Sequence, residues 1–165
     1  MKIPFEMPDF SENTALVAAG GDLEARIFRV KDNFMTLQAA LSLSPPEQAL
    51  RNKAAFSEYE LSYSLLQKTL AHYPHRKALR AFANQLAGAL SEMARREKAS
   101  AVYLLLSANL AAEMKARIGP RIGELIKAVY VGEYSSLEPL GILAIIRHGE
   151  SQTLIAENGA RKEEW

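Results

Sequence analysis

Residues 99–112 form a stretch without a charged side chain that no other in the chain exceeds, fourteen positions that include Ala101-Val102-Tyr103-Leu104-Leu105-Leu106. A segment that is apolar on every side has to be covered on every side, so the rest of the chain must build layers around it. Fourteen residues fall short of the ~20 needed to cross a bilayer. The stretch therefore predicts a central buried helix near residues 100–116, not a membrane span.

Helical spacing surrounds this centre. Leu23, Ile27, Val30, Phe34, Leu37 and Leu41 follow a 4-3-4-3-4 pattern, with Asp22 placed to cap the start. Ser44 and Glu47 stand at capping-box spacing around Pro45-Pro46, and Phe56, Tyr59, Tyr63, Leu66, Leu70 and Tyr73 repeat the period up to Pro74. Two such stripes joined by a short turn predict an antiparallel helical hairpin in the N-terminal half. A third helix is expected from near His75, with Leu79, Phe82, Leu86, Ala89 and Met93 on one face. Pro120 is read as opening a short helix with Ile122, Leu125, Ile126 and Val129. Ser135-Ser136-Leu137-Glu138 is read as a second capping box before a last helix, shortened by Pro139 and Gly141. Strand signals are scarce: there is no Asp-Gly dipeptide, and the Asn-Gly pair, Asn158-Gly159, opens the charged tail rather than joining two apolar runs. The expected architecture is all-α: one bundle of five to seven helices over residues 1–157, followed by a charged tail over 158–165.

At 165 residues, with 48% apolar and 24% charged side chains, the chain has an ordinary globular composition. It contains no cysteine, which excludes a disulfide scaffold, a thiol nucleophile and any cysteine-ligated zinc or iron–sulfur centre. Met1-Lys2-Ile3-Pro4-Phe5-Glu6 places proline and acid where a signal peptide has a basic region and an apolar run, so the expected location is cytoplasmic. Charge is uneven. Residues 1–70 carry a net −2, 71–130 a net +6 from ten cations and four acids, and 131–165 a net −3.

Arg147-His148-Gly149-Glu150-Ser151, after the apolar run 140–146, resembles the strand-then-RHGES signature of the histidine phosphatase and phosphoglycerate mutase superfamily. The resemblance implies a phosphorylated His148 and a phosphate-binding Arg147. It covers only this segment. In that family a long α/β domain with a second catalytic histidine follows, and no histidine follows Ser151 here. We read the segment as a chance match at a helix C-terminus, with Arg147 and His148 complementing the dipole and Gly149 closing the turn. His72 and His75 flank a proline and lack carboxylate companions, so no metal site is assigned. Asn109, inside the apolar stretch, is expected to need a buried partner. Catalytic, cofactor and metal residues are accordingly none.

What remains is a binding role. The expectation is a non-enzymatic helical interaction module: an adaptor, a chaperone, an immunity-type inhibitor or a small subunit of a larger complex. Its partner is another protein or a second copy of the chain, met through Tyr59, Tyr63, Tyr73, Arg76 and Arg80. The alternative is a nucleic-acid-associated regulator or complex subunit contacting phosphate backbone through Arg76, Lys77, Arg80, Arg95, Arg96, Arg117 and Arg121.

Overall fold

A two-residue turn decides the first third of the chain. Asp32 and Asn33 both take left-handed backbone, with φ of 50° and 59°. That is the geometry of a tight turn between antiparallel strands, and Asp and Asn tolerate it better than other side chains do. The turn folds β2 (Glu24–Lys31) onto β3 (Phe34–Ser42), and β2 pairs in turn with β1 (Ala15–Gly20). The 4-3-4-3-4 stripe is thus two strands, not one helix. Ile27 and Val30 face opposite sides of the sheet and are both buried, because both sides are covered. The register steps from Ile27↔Ala39 to Phe28↔Leu37, which leaves Gln38 as the extra residue of a bulge. Asp22, expected to cap a helix, lies in the turn between β1 and β2.

The computed structural model describes residues 1–5, 9–42 and 74–156. Over these the chain is an α/β fold, and the expected all-α bundle is overturned. The apolar stretch expected to be a central helix is β4 (Ala101–Leu106), every residue of it buried, followed by α2 (Ala108–Lys115). A strand with both faces covered reads as an unbroken apolar run, and periodicity alone cannot separate it from a buried helix. β4 lies parallel to β1 on one side and to β5 (Ile126–Val131) on the other, giving the order β3-β2-β1-β4-β5.

The chain reaches β4 through α1 (Pro74–Glu97), and runs from β4 to β5 through α2 and α3 (Pro120–Leu125). Both crossovers run the same way across the sheet and their helices lie on one face, as crossovers of one hand require. There Leu16, Ile27, Val102, Leu104 and Leu106 meet Phe82, Leu86, Leu90, Leu110, Met114 and Ile122. On the opposite face Val17, Phe28, Val30, Tyr103 and Leu105 meet Ile142, Leu143 and Ile146 of α4 (Pro139–Ala156), with Ile3 and Phe10 beside them. Phe10 meets the Tyr103 ring edge-on, centroids 6.1 Å apart.

The third expected helix is present as α1, which buries Leu79, Phe82, Leu86 and Met93 as its spacing predicts. It stops where Lys98 turns left-handed (φ 52°) and the Ala99 amide donates back to the Ala94 carbonyl. Pro120 opens α3 from an N-cap at Gly119, but the helix gives way at Ile126 to a strand. α4 is eighteen residues long, not short. Pro139 is its first residue, a position that needs no amide hydrogen, and the helix starts three residues later than the Ser135 capping box would place it. The second half of the expected hairpin, including the Ser44 capping box and the tyrosine stripe, and the 158–165 tail lie outside the described residues. No described helix is long and apolar enough to cross a membrane.

Candidate functional site

All seven cations expected to meet an anionic partner stand on one side of the sheet. Arg76, Lys77, Arg80, Arg95 and Arg96 are on α1, Arg121 is on α3, and Arg117 lies in the turn between α2 and α3. The apolar stripe of α1 faces the sheet, so its charged side faces solvent: all of these are exposed except the half-buried Arg117. Arg76 and Arg80 are one helical turn apart, and Arg95 lies roughly 28 Å from Arg76 along the axis at 1.5 Å per residue.

Several of these charges are already engaged. Glu113 of α2 draws in two of them: Arg117 Nη1 donates to its Oε2 at 2.6 Å and to its carbonyl at 2.9 Å, while Arg80 Nε lies 3.8 Å from Oε1. At the end of α1, Glu97 accepts from Arg29 of β2 at 3.0 Å and from Arg96 at 3.1 Å. The Arg29 hydrogen bond, aided by Arg96, holds the Glu97 carboxyl below its ordinary value against a smaller opposing effect of burial. Arg76, Arg95 and Arg121 make no ion pair among the described residues.

Two of those three line a cleft of about 440 Å³ between α1 and α3. Gly88, Ser91, Glu92 and Arg95 form one wall, and Gly119, Pro120, Arg121 and Ile122 the other. The groove is open beside Gly88 and Gly119, where an added Cβ would meet nothing within 4 Å. The result is a shallow trough with two unpaired guanidinium groups, one acid and one hydroxyl.

A second polar region lies beyond the carboxyl ends of β1 and β4. Ser107 Oγ donates to Asp22 and accepts from the Leu110 amide at 3.3 Å, so it caps α2 while it ties down the β1–β2 turn. Asn109, expected to be buried, is exposed; its Nδ2 donates to the other Asp22 oxygen at 3.1 Å. Sequence reasoning missed Ser107 as a cap because one helix was read straight through it. A serine between an apolar run and Ala108-Asn109-Leu110 was the available signal. Arg26 was missed as well. It is a cation among buried neighbours in β2, whose Nη2 donates to the carbonyls of Ser135, at 3.2 Å, and Leu137.

The remaining sequence candidates fall elsewhere. Tyr59, Tyr63 and Tyr73 lie outside the described residues, as does His72, while His75 is in the first turn of α1. Arg147, His148 and Gly149 lie within α4, which continues to Ala156, so they do not end a helix. The apolar run before them is helical, where the phosphatase signature has a strand. Gly149 is there for packing: a Cβ on it would come within 2.3 Å of Cε1 of Tyr130, whose hydroxyl donates to the Ile146 carbonyl at 3.4 Å. Among the described residues no three His, Cys, Asp or Glu side chains are grouped to hold a metal.

No family model matches the chain, and no curated protein matches it in sequence. Among solved structures it is similar to a chain in a model of ribosome-bound archaeal Pelota and ABCE1, at 16% identity over 90% of this chain and 36% of that one (TM-score 0.47). It is also similar to an archaeal actin homolog, at 14% identity over 88% and 50% (TM-score 0.44). A third likeness is to the ethanolamine utilization protein EutJ of Carboxydothermus hydrogenoformans, at 13% identity over 79% and 49% (TM-score 0.42). The chain spans between a third and a half of these proteins' chains, and the likenesses are of outline only.

Proposed function

We propose that the protein is a non-catalytic binding domain that docks on an acidic surface of a protein partner through its α1–α3 layer. The observation that carries this is the trough between α1 and α3, where Arg95 and Arg121 stand unpaired beside Glu92 and Ser91. Arginine is enriched at protein interfaces because its planar fork meets carboxylates in a fixed geometry. The surrounding cations are partly neutralised by acids of the same layer, Glu113 and Glu97. Such a mixed surface suits a protein partner with its own charge pattern. Phosphate-backbone binding is better served by a run of uncompensated cations and a pI above ~9, and the sequence pI here is about 8.0.

The test is the charge reversal Arg95→Glu with Arg121→Glu, checked for folding by circular dichroism. Partner capture from a nuclease-treated lysate of the source organism is expected to fall at least tenfold, in line with the loss of two charged interface contacts. Unchanged capture would overturn the assignment of this surface. A second reading is favoured by the net +6 of residues 71–130: contact with a phosphate backbone by the same layer. It is tested by fluorescence anisotropy of labelled DNA and RNA against salt. Binding that weakens steeply with salt supports it, and no binding at low salt removes it.

A further inference from the structure

Arg26 is a half-buried cation with no counter-ion among the described residues. Its named partners are neutral: the carbonyls of Ser135 and Leu137, and the Phe28 ring with its centroid 5.5 Å from the guanidinium carbon. Its Nε is buried and makes no hydrogen bond. An unneutralised charge costs free energy away from water, and that cost is offset when an anion binds.

This arginine lines a cleft of about 230 Å³, separate from the trough on the helical layer. Strand register builds the cleft. Ala19 pairs with Arg26, Arg26 with Ala40, and Glu24 with Ser42, so all five stand on the α4 side of the sheet. Alanines and a serine leave the space that larger side chains would fill, and Ser135 closes one edge. The cleft sits just past the carboxyl end of β1, where open α/β sheets commonly bind ligands.

Its size and charge restrict the occupant. At ~30 Å³ per water the cleft holds roughly seven or eight waters' volume, below the ~300 Å³ at which drug-sized sites begin and too small for a nucleotide. Arg26 supplies one positive group. Glu24, two residues along the same face and ~7 Å away at strand rise, supplies one negative group. The hydroxyls of Ser42 and Ser135 complete the polar lining. An anion alone would be repelled by Glu24 and a cation alone by Arg26; a small molecule carrying both charges is opposed by neither.

We infer that this cleft binds a free α-amino acid, its carboxylate on Arg26 and its ammonium on Glu24. The test is a titration of the full-length protein, followed by NMR, with a panel of α-amino acids up to about 10 mM, enough to detect millimolar affinity. Acetate and methylamine serve as half-ligands. At least one amino acid is expected to saturate the protein, shifting the resonances of Glu24, Arg26, Ser42 and Ser135. Because Arg26 also holds the 135–137 loop, the deciding variants are Glu24→Gln and Ala40→Leu, which leave those carbonyl contacts in place. Glu24→Gln is expected to weaken binding by about tenfold or more, the scale of a lost charged hydrogen bond, and Ala40→Leu to abolish it by filling the cleft. Three results would overturn the inference: no amino acid in the panel shifting these residues, acetate binding as tightly as its amino-acid counterpart, or binding indifferent to both variants. Arg95→Glu with Arg121→Glu is expected to leave amino-acid binding unchanged, so failure here and failure of the helical-layer interface are read separately.

Discussion

The two faces of the sheet are covered by different means, and their glycines show it. Three of the described helices lie over one face, and there Gly88 and Gly119 mark missing material: nothing approaches the position of an added Cβ, and a trough remains. Over the other face lies one described helix, α4, and there Gly149 and Gly141 mark closeness. An added Cβ would fall within 2.3 Å of Tyr130 or 2.9 Å of Leu137. The same residue type leaves a surface free to bind on one side and lets a single helix settle onto the sheet on the other. The denser layer can carry an open trough because α1, α2 and α3 support one another; among the described residues α4 lies against the sheet, the N-terminal segment and the loop before it.

Neighbouring leucines of β4 offer the largest test of this contrast. Leu104 and Leu105 are both fully inaccessible and point to opposite faces. Replacing either with alanine is expected to cost about 2–5 kcal/mol, the amount depending on how far the site can close around the hole. Under three mutually braced helices closure is restricted, so Leu104→Ala is expected to be the costlier of the two by urea denaturation. The reverse order would show that α4 is the more rigid cover.

A smaller effect, with opposite signs on the two faces, is expected from the glycines. Gly149→Ala drives a methyl group into the Tyr130 ring and is expected to destabilise by about 1–3 kcal/mol through overpacking. Gly88→Ala meets no neighbour on the outer side of α1 and is expected to stabilise by about 0.5–1 kcal/mol through helix propensity. Thermal unfolding of the two variants gives the signs directly, and a shift in the same direction for both would remove the distinction.

The smallest expected change concerns the tie between α1 and the sheet. Because Arg29 holds Glu97 below its ordinary carboxylate range, folding favours the ionised form. That contribution is present above the unfolded-state value and disappears as pH falls through the lowered folded-state value. Glu97→Gln is therefore expected to cost under about 1 kcal/mol near neutral pH, as for other solvent-accessible pairs. It is also expected to flatten the acid limb of the stability profile. A variant with the wild-type profile would show that Glu97 does not hold α1 to β2.

Much of α1 was legible in advance. A long amphipathic helix repeats its apolar positions often enough that Leu79, Phe82, Leu86 and Met93 admit no strand alternative, and Pro74 fixes its start. The basic side of the site was legible for the same reason, since charges opposite a buried stripe must face water. Arg26 was not. In one dimension it is a cation between Ala25 and Ile27; only pairing with Ala19 and Ala40 puts it beside a cleft. The hairpin turn was half legible, because Asp32-Asn33 carries the tolerance for left-handed backbone that an Asn-Gly pair would have announced.

By itself the sequence determined which residues must be buried, where charge gathers, and that cysteine chemistry plays no part. Whether those residues were buried by helix or by strand was decided only in three dimensions. The run 101–106 and the stripe from Leu23 to Leu41 are apolar enough to be covered on two sides, and such segments lose the alternation that tells the periods apart. What settled them was partnership: β1 with β2 and β4 beside it, and helices available above and below. Backbone hydrogen bonds between distant segments leave no trace in the composition of either segment alone.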